Sequence, residues 1–213
     1  MRVVVPVFDQ FTALDAVGPY EVLSKIPGAT VTFAAAARGP VRSDTGALAI
    51  VADLALDEID SCDILVVPGG PGTREMAADG YFLDWVRRIH PTTQWTTSVC
   101  TGSLVLAAAG LLSGLEATTH WAAVEDLQTF GARYTDRRVV TEGKIMTAAG
   151  VSAGIDMALA LTARITGAPI AEAIQLVIEY DPQPPFDSGS VAKSKPETVT
   201  LVRSLLATRR SAR

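Results

Sequence analysis

The chain has 213 residues, of which 48% are hydrophobic and 19% are charged, and its formal net charge is -5. A chain of this length suits one large domain or two small ones, and so apolar a composition excludes a wholly disordered protein. The acidic balance argues against a nucleic-acid-binding protein, because such proteins need a basic patch or stripe on their surface.

Cysteine and histidine are scarce, and asparagine is absent from the sequence. The two cysteines, Cys62 and Cys100, are too few for a disulfide framework and fit a reducing cytoplasm. With only His90 and His120 beside them, a Cys-His-Asn triad is impossible and no zinc-binding spacing is present, so we expect no bound metal. The apolar opening run, residues 3–8, is too short for a signal peptide, and no stretch reaches the roughly 18 residues that span a bilayer.

Strands and helices alternate along the predicted chain. Apolar runs, helical periodicity and turn residues in the first half predict a strand at 3–8, a helix at 20–26, a strand at 29–37, a hairpin over 41–53, a strand at 62–70 and a helix at 80–90. The second half predicts a strand at 95–99, a helix over 104–108 closed by Gly110, a helix at 121–131, two strands within 132–150, helices at 152–167 and 169–180, and a helix at 197–209.

This alternation predicts an α/β protein with a doubly wound, mostly parallel sheet and helices on both faces. No internal repeat and no interdomain linker interrupts it, so we expect a single α/β domain over residues 1–190. The remaining residues, 191–213, are predicted to form a helical C-terminal extension. A Pro/Ser-rich loop, residues 181–196, spans the boundary between the two parts.

Cys100 lies where a predicted strand turns into a predicted helix, in "QWTTSVCTGSLVLAAAGLL". Ligands of doubly wound sheets gather outside the carboxyl ends of the strands, and the N–H groups of a helix N-terminus favour a thiolate. The pattern is that of a nucleophile elbow with cysteine in place of serine. A free cysteine can also be a small buried hydrophobe. We prefer that inert interpretation for Cys62 and the reactive one for Cys100.

Two further features could complete a site around Cys100. The glycine turn "VVPGGPG", residues 66–72, ends another strand, and its N–H groups with that of Thr101 could form an oxyanion hole. Asp15 follows the first strand and could share a proton with the sulfur, because burial can raise a carboxyl pKa far enough. A helix-capping role for Asp15 is an equally open interpretation.

Several motifs together resemble one known family. The stretches "VVPGGPG", "SVCTGSLVLAAAGLL", "ATTHW", "TAAGVSAGIDMALAL" and "EYDPQPPF" are similar to the ThiJ/PfpI superfamily, and most of all to its isonitrile (isocyanide) hydratase branch. The resemblance runs over residues 3–189. It implies a flavodoxin-like fold and a homodimer.

Site residues follow from this resemblance position by position. It implies that Cys100 is the nucleophile, that Asp15 is its acidic partner, and that the N–H groups of Gly70 and Thr101 are oxyanion donors. It places four more residues around the substrate, namely Gly69, His120, Trp121 and Val151. Whether His120 acts as a base or only as a structural residue stays open.

Thr101 departs from the pattern of protease-like and glyoxalase-like members, which carry histidine directly after the cysteine. The missing histidine argues against a peptidase, and His90, predicted at the surface, does not replace it. The same motifs occur in the sensor halves of AraC-type regulators. We expect the stretch after the proline-rich loop to be too short for their DNA-binding module.

The resemblance implies an enzyme that hydrates isonitriles to N-substituted formamides through a covalent thioimidate on Cys100. Its substrate is a small molecule, and neither a metal nor an organic cofactor is expected. Two alternatives stay open, a glyoxalase-type hydrolase of small carbonyl compounds and a non-enzymatic protein that senses oxidants or ligands through the cysteine.

Overall fold

The computed structural model describes residues 1–211, with side chains described as far as residue 208. The strands are β1 (Arg2–Pro6), β2 (Thr30–Ala35), β3 (Gly39–Arg42), β4 (Ala49–Ala52), β5 (Leu54–Ala55), β6 (Ile64–Val67), β7 (Trp95–Val99), β8 (Glu116–Ala117), β9 (Arg133–Tyr134), β10 (Val139–Glu142) and β11 (Ile145–Ala148). The α-helices are α1 (Ala13–Leu23), α2 (Thr73–Met76), α3 (Gly80–Ile89), α4 (Gly102–Ala108), α5 (Val124–Thr129), α6 (Ala153–Thr166), α7 (Ala168–Val177) and α8 (Pro196–Ser211). Short 3-10 helices cover Leu56–Glu58, His90–Thr92 and Trp121–Ala123.

Within the described residues, seven strands form the main sheet in the order β10-β11-β7-β6-β1-β2-β5. Every neighbouring pair is parallel except β10 and β11, which form an antiparallel hairpin at one edge. Strands β2 and β5 lie on one side of β1 in the sheet, and β6 and β7, which come later in the sequence, lie on its other side. The predicted α/β sheet is therefore confirmed, and the carboxyl ends of β1, β6 and β7 lie side by side.

Strands β1 and β6 are apolar on both faces because helices cover both sides of the sheet. Val3, Val4 and Val5 of β1 are buried, and so is all of β6. Helix α1 packs on α6 and α6 on α7, whereas α4 packs on α2, α3 and α5. These two groups of helices enclose the core between them and the sheet.

Helix α3 forms as its sequence predicts. Asp79 caps it, since its Oδ1 accepts hydrogen bonds from the N–H groups of Tyr81 (2.9 Å) and Phe82 (3.4 Å). Its apolar face is buried, and the Trp85 Nε1–H donates to the Leu56 carbonyl oxygen at 2.8 Å. The helix is thus capped by a side chain and anchored through an indole hydrogen bond.

Helix α1 begins earlier than the predicted helix at 20–26. It runs through Gly18 and Pro19, a pair that normally interrupts a helix. Gly18 is tolerated because α1 packs closely on α6, where a Cβ at residue 18 would lie 3.2 Å from Ile155 Cγ1. Tertiary packing therefore overrides the local signal, and it brings Asp15 into the first turn of the helix.

Some short elements carried no sequence signal. The parallel pair β8–β9 forms a separate small sheet, β5 extends the main sheet by two residues, and α2 is a single helical turn. Elements this short show no readable periodicity, and only neighbouring strands and helices hold them in place.

Two compact units divide the described chain, residues 1–179 and a second unit that begins at Tyr180. The second unit contains α8, which begins at Pro196. The predicted domain boundary after residue 190 stays a prediction, and the last two residues of the predicted extension lie outside the described residues. None of the helices within residues 1–211 is long and apolar enough to cross a membrane.

We expect Gly102→Ala to destabilise the protein by about 3 kcal/mol, because the added methyl group would lie 2.2 Å from the Val67 carbonyl oxygen. Gly80→Ala is the matched control. Gly80 also opens a helix, but a Cβ there meets nothing within 4 Å. Urea unfolding measures both free energies, and equal stabilities of the two variants would contradict this close approach of α4 to β6.

Candidate active site

Three loops meet at the carboxyl edge of the sheet, one after each of β1, β6 and β7. The Thr12 N–H donates to the Gly69 carbonyl oxygen at 2.8 Å. The Gly69 N–H in turn donates to Asp15 Oδ2 at 2.9 Å, and the Gly70 N–H donates to Thr101 Oγ1 at 2.9 Å. These bonds join the loops that carry the sequence-predicted acid, oxyanion donors and nucleophile.

The backbone of Cys100 is held in a strained turn. Its φ is 57°, in the left-handed region that residues other than glycine rarely adopt. Its N–H donates to the carbonyl oxygens of Ala148 (3.1 Å) and Ala149 (3.0 Å). Its own carbonyl oxygen accepts from Ser103 Oγ and Thr119 Oγ1, both at 3.1 Å. Such strain is typical of functional sites, and this geometry matches the predicted elbow.

The Cys100 sulfur lies among polar groups, although the residue is only 5% exposed. The N–H groups of Val151 and Thr101 and the Thr101 hydroxyl form hydrogen bonds with it and favour its ionised form. Burial and the charge of Asp15 outweigh them, so the pKa of the thiol is raised above its ordinary value. The helix N-terminus, which the sequence analysis expected to favour a thiolate, is thus outweighed by desolvation and by the neighbouring carboxyl.

Asp15 is fully buried in the first turn of α1. Its Oδ2 accepts the Gly69 N–H, whereas its Oδ1 accepts no hydrogen bond from any described residue. Burial raises the pKa of Asp15 to about 7, and the bonds to Gly69 and to the Cys100 thiol only partly oppose this rise. The capping interpretation does not hold, since Thr12 occupies the N-cap position.

Asp15 and Cys100 therefore titrate as a pair. The charge of Asp15 raises the pKa of Cys100, a hydrogen bond with Cys100 lowers that of Asp15, and burial raises both. Near pH 7 the pair is expected to hold one or two protons, because the Asp15 pKa is about 7 and that of Cys100 is raised above its ordinary value. A pair with one proton can place it on oxygen, which leaves a thiolate, or on sulfur, which leaves a carboxylate.

The glycine turn after β6 closes around this pair. A Cβ at residue 69 would lie 2.6 Å from the Thr101 nitrogen and 2.7 Å from Asp15 Oδ2, so only glycine fits between the acid and the elbow. The Gly70 N–H, predicted as an oxyanion donor, is engaged with Thr101 Oγ1 in this structure. Its catalytic role stays a prediction.

His120, Trp121 and Val151 are half-buried. The His120 ring stacks on Trp121 with centroids 5.5 Å apart, and its Nδ1 accepts the Ala122 N–H at 3.3 Å. Burial lowers the pKa of His120, so the ring is neutral at pH 7. The His120 ring packs against the backbone of Gly150, since a Cβ there would lie 2.9 Å from His120 Cδ2. The next residue, Val151, donates its N–H to the Cys100 sulfur.

Sequence reasoning missed three hydroxyl groups. Ser103 and Thr119 bind the Cys100 carbonyl oxygen, and the Thr73 hydroxyl contacts both Gly70 O (2.6 Å) and Thr101 Oγ1 (3.0 Å). Ser103 could have been found from its position three residues after the cysteine, a spacing at which serine bonds back to a helical turn. Nothing local in the sequence marks Thr73 or Thr119.

The remaining cysteine and histidine lie outside this site. Burial raises the pKa of Cys62 to about 12, consistent with an inert thiol. His90, predicted at the surface, is partly buried instead, and its Nδ1 lies 2.8 Å from Thr96 Oγ1. Within the described part of the chain, no cluster of three metal-ligating side chains is present.

A separate cavity of about 350 Å³ lies beyond the ends of β1 and β2. Its lining combines apolar side chains such as Phe8, Val41 and Phe82 with Asp9 and Arg42 at its polar part. None of the sequence-predicted site residues lines it. At Cys100, by contrast, a strained backbone and a strongly perturbed carboxyl coincide, which is typical of functional sites.

We expect Asp15→Asn to be more stable than the parent chain at pH 8 and equally stable near pH 4. The pKa of Asp15 rises from 3.8 to about 7 on folding, so the folded state loses stability as pH rises through this range. The loss amounts to about 4 kcal/mol and is absent from the asparagine variant. Chemical denaturation at a series of pH values measures the free energy of unfolding, and Asp60→Asn, at an exposed aspartate, is the control. If the free energies of the parent and of Asp15→Asn changed with pH in parallel, the buried acid would be contradicted.

The chain is similar to known proteins over most of its length. The chain is 44% identical to an isonitrile hydratase of Pseudomonas putida over 183 residues, which covers 86% of this chain and 80% of that protein. It is 27% identical to the glutathione-independent glyoxalase DJR-1.2 of Caenorhabditis elegans, over 63% of this chain and 75% of that one.

Among solved structures, a ThiJ/PfpI family protein of Pseudomonas syringae superposes with a TM-score of 0.93 at 37% identity, covering 97% of this chain and 86% of that one. This likeness confirms the flavodoxin-like fold that the sequence motifs implied. The sequence model of the DJ-1/PfpI family matches residues 1–164, more than half of the chain. The chain therefore belongs to the DJ-1/PfpI family.

Proposed function

We propose that the protein hydrates isonitriles, R–NC, to N-substituted formamides, with Cys100 as nucleophile and Asp15 as its proton partner. The observation that carries this proposal is the buried Asp15–Cys100 pair at the elbow of a chain 44% identical to an isonitrile hydratase. An isonitrile carbon accepts both a nucleophile and a proton, which a cysteine–carboxyl pair with one proton can supply together.

In the first step the sulfur attacks the terminal carbon and forms a C–S bond. The proton of the pair moves to the same carbon, which gives the thioimidate Cys–S–CH=N–R and leaves Asp15 as a carboxylate. The raised pKa of the Cys100 thiol suits this step, because the strongly nucleophilic thiolate then forms only as the proton is transferred. The Thr101 and Val151 N–H groups stabilise the negative charge that develops on the sulfur during this transfer.

In the second step the Asp15 carboxylate takes a proton from water as the water oxygen bonds to the carbon. Asp15 then passes this proton to the substrate nitrogen, which gives Cys–S–CH(OH)–NH–R. Cleavage of the C–S bond forms the carbonyl group of R–NH–CHO, and the hydroxyl proton returns to the pair. The unpartnered Asp15 Oδ1 supports a carboxylate oxygen available for these transfers.

Main-chain N–H groups are the proposed donors to the developing oxyanion. The Thr101 N–H adjoins the sulfur and can serve without rearrangement. The Gly70 N–H donates to Thr101 Oγ1 and would have to break this hydrogen bond before it could bind the oxyanion, so we assign it a smaller contribution. Half-buried His120, Trp121 and Val151, with Gly69, would surround the R group of the substrate.

Glyoxalase chemistry is the second candidate because one relative is a glyoxalase, and consumption of methylglyoxal with lactate release would reveal it. Thr101 stands where glyoxalase-like members carry histidine, which ranks this candidate lower. An oxidant sensor is less well supported, since burial and the raised pKa of Cys100 disfavour the thiolate that peroxide attacks. We also propose a cytoplasmic homodimer, as the family resemblance and the sparing use of cysteine suggest.

We expect the purified protein to convert p-nitrophenyl isocyanide to the formamide and Cys100→Ala to lose this turnover entirely. Asp15→Asn should lose at least about 100-fold, because it removes the acid–base group. Cys62→Ala is the matched cysteine control and should keep most of the activity. Product formation is followed by chromatography, and failure of the protein to exceed Cys100→Ala on several isonitriles would refute the proposal.

We expect kcat/KM for an isonitrile to rise with pH up to about 7 and to level off above it. Below the Asp15 pKa of about 7 the pair holds two protons and lacks a base, so the rate falls about tenfold for each pH unit. Isonitriles also hydrolyse in acid without enzyme, so the Cys100→Ala rate is subtracted at each pH. A rate that increases toward acid after this subtraction would contradict the one-proton form.

A further inference from the structure

The cavity beyond the ends of β1 and β2 lies apart from the Cys100 elbow and has a volume of about 350 Å³. Its walls come from the segment after β1, the end of β2, strand β3 and the residues around the turn between α2 and α3. Small-molecule sites commonly enclose about 300 to 1,000 Å³ and lie outside the carboxyl ends of parallel strands. The size and the position of this cavity therefore suit a small ligand.

The buried part of the lining is apolar. Phe8 and Phe82 are 6% and 3% exposed, and their rings pack edge to face with centroids 5.9 Å apart. Buried Val7 and half-buried Val41 and Met76 add aliphatic surface to the lining. An aromatic or aliphatic group of a ligand is removed from water when it packs here.

The exposed part of the lining carries opposite charges that are not paired with each other. Asp9 and Arg42 are neighbours in the fold, since the N–H of Gln10 donates to the Arg42 carbonyl oxygen at 3.0 Å. Among residues 1–208, however, the Asp9 carboxylate has neither a hydrogen-bond donor nor an ion-pair partner. Arg42 Nη1 donates to the Gly46 carbonyl oxygen at 3.0 Å, and its other N–H groups have no acceptor in the same part of the chain.

Asp79 adds a second carboxylate to the lining. Its Oδ1 caps α3, so a ligand can reach it only through Oδ2. Two carboxylates and one guanidinium are the complement of a molecule that carries both an ammonium group and a carboxylate group. A simple cation is repelled by Arg42, and a simple anion is repelled by Asp9 and Asp79.

We propose that this cavity binds a small zwitterion with an apolar body, such as an α-amino acid with an aromatic or aliphatic side chain. The apolar body packs on Phe8 and Phe82, the ligand carboxylate binds the Arg42 guanidinium, and the ammonium group binds the Asp9 carboxylate. This site goes beyond the proposed hydration, because neither Cys100 nor Asp15 lines the cavity.

A titration of the labelled protein with L-phenylalanine, followed by the NMR shifts of its backbone amides, tests the site. Two analogues share the phenyl group: 2-phenylethylamine lacks the carboxylate, and 3-phenylpropanoate lacks the ammonium group. We expect L-phenylalanine to bind with a Kd on the order of 0.1 to 1 mM, with the largest shifts around Phe8 and Phe82. Each analogue should bind about tenfold more weakly, as for the loss of one charge-assisted hydrogen bond.

Variants separate the two polar contacts. Arg42→Gln should weaken L-phenylalanine about tenfold without weakening 2-phenylethylamine, and Asp9→Asn should weaken L-phenylalanine without weakening 3-phenylpropanoate. Arg133→Gln and Asp60→Asn remove the same charges at exposed positions outside the cavity and are the matched controls. Ala36 is an exposed lining residue, so Ala36→Trp should narrow the cavity and abolish binding while the protein stays folded.

Several results would overturn the proposal. These are the absence of saturable shifts in the millimolar range, shifts centred on Cys100 instead of the cavity, an analogue that binds as tightly as L-phenylalanine, and parent-like binding by Ala36→Trp. Equal weakening of L-phenylalanine by Arg42→Gln and by its control would do the same. Binding needs no isonitrile turnover, so this site and the proposed hydration can fail separately.

Discussion

The carboxyl group of Asp15 and the thiol of Cys100 lie next to each other in a site that largely excludes solvent. Ionising both groups there is energetically unfavourable, and this constraint governs the chemistry of the site. Asp15 is fully buried and Cys100 is 5% exposed, so two negative charges there would repel each other in a medium of low polarity. One proton held in common removes this repulsion. In the proposed reaction this pair then supplies the nucleophile and the proton together.

The order of the strands in the sheet brings Asp15 and Cys100 together. Because β6 and β7 are added on the opposite side of β1 from β2, the loops after β1, β6 and β7 end at one crevice. The acid comes from the first loop, the glycine turn from the second and the sulfur from the third. Main-chain N–H groups of Gly69, Thr101 and Val151 then supply polarity without adding a charge to the site.

Threonine after the cysteine changes the chemistry that the elbow can perform. A histidine at residue 101 would add a second titrating group beside the sulfur, whereas the Thr101 hydroxyl adds a hydrogen bond and no charge. The hydroxyl is itself held by the Gly70 N–H at 2.9 Å, so the glycine turn and the elbow act as one unit. A carbon that accepts a nucleophile and a proton suits such a site better than a peptide bond, whose amine leaving group needs its own acid.

The sequence by itself determined the alternating α/β architecture and the elbow at Cys100, because hydrophobic periodicity and turn residues are local properties of the chain. It also singled out Asp15, although its position in the first turn of α1 required the packing of Gly18 against Ile155. Only the tertiary structure decided the raised pKa values of the pair and the hydrogen bonds that join the three loops. A pKa depends on burial and on charges brought together from distant parts of the chain, and hydrogen-bond partners across loops have no signature within either loop.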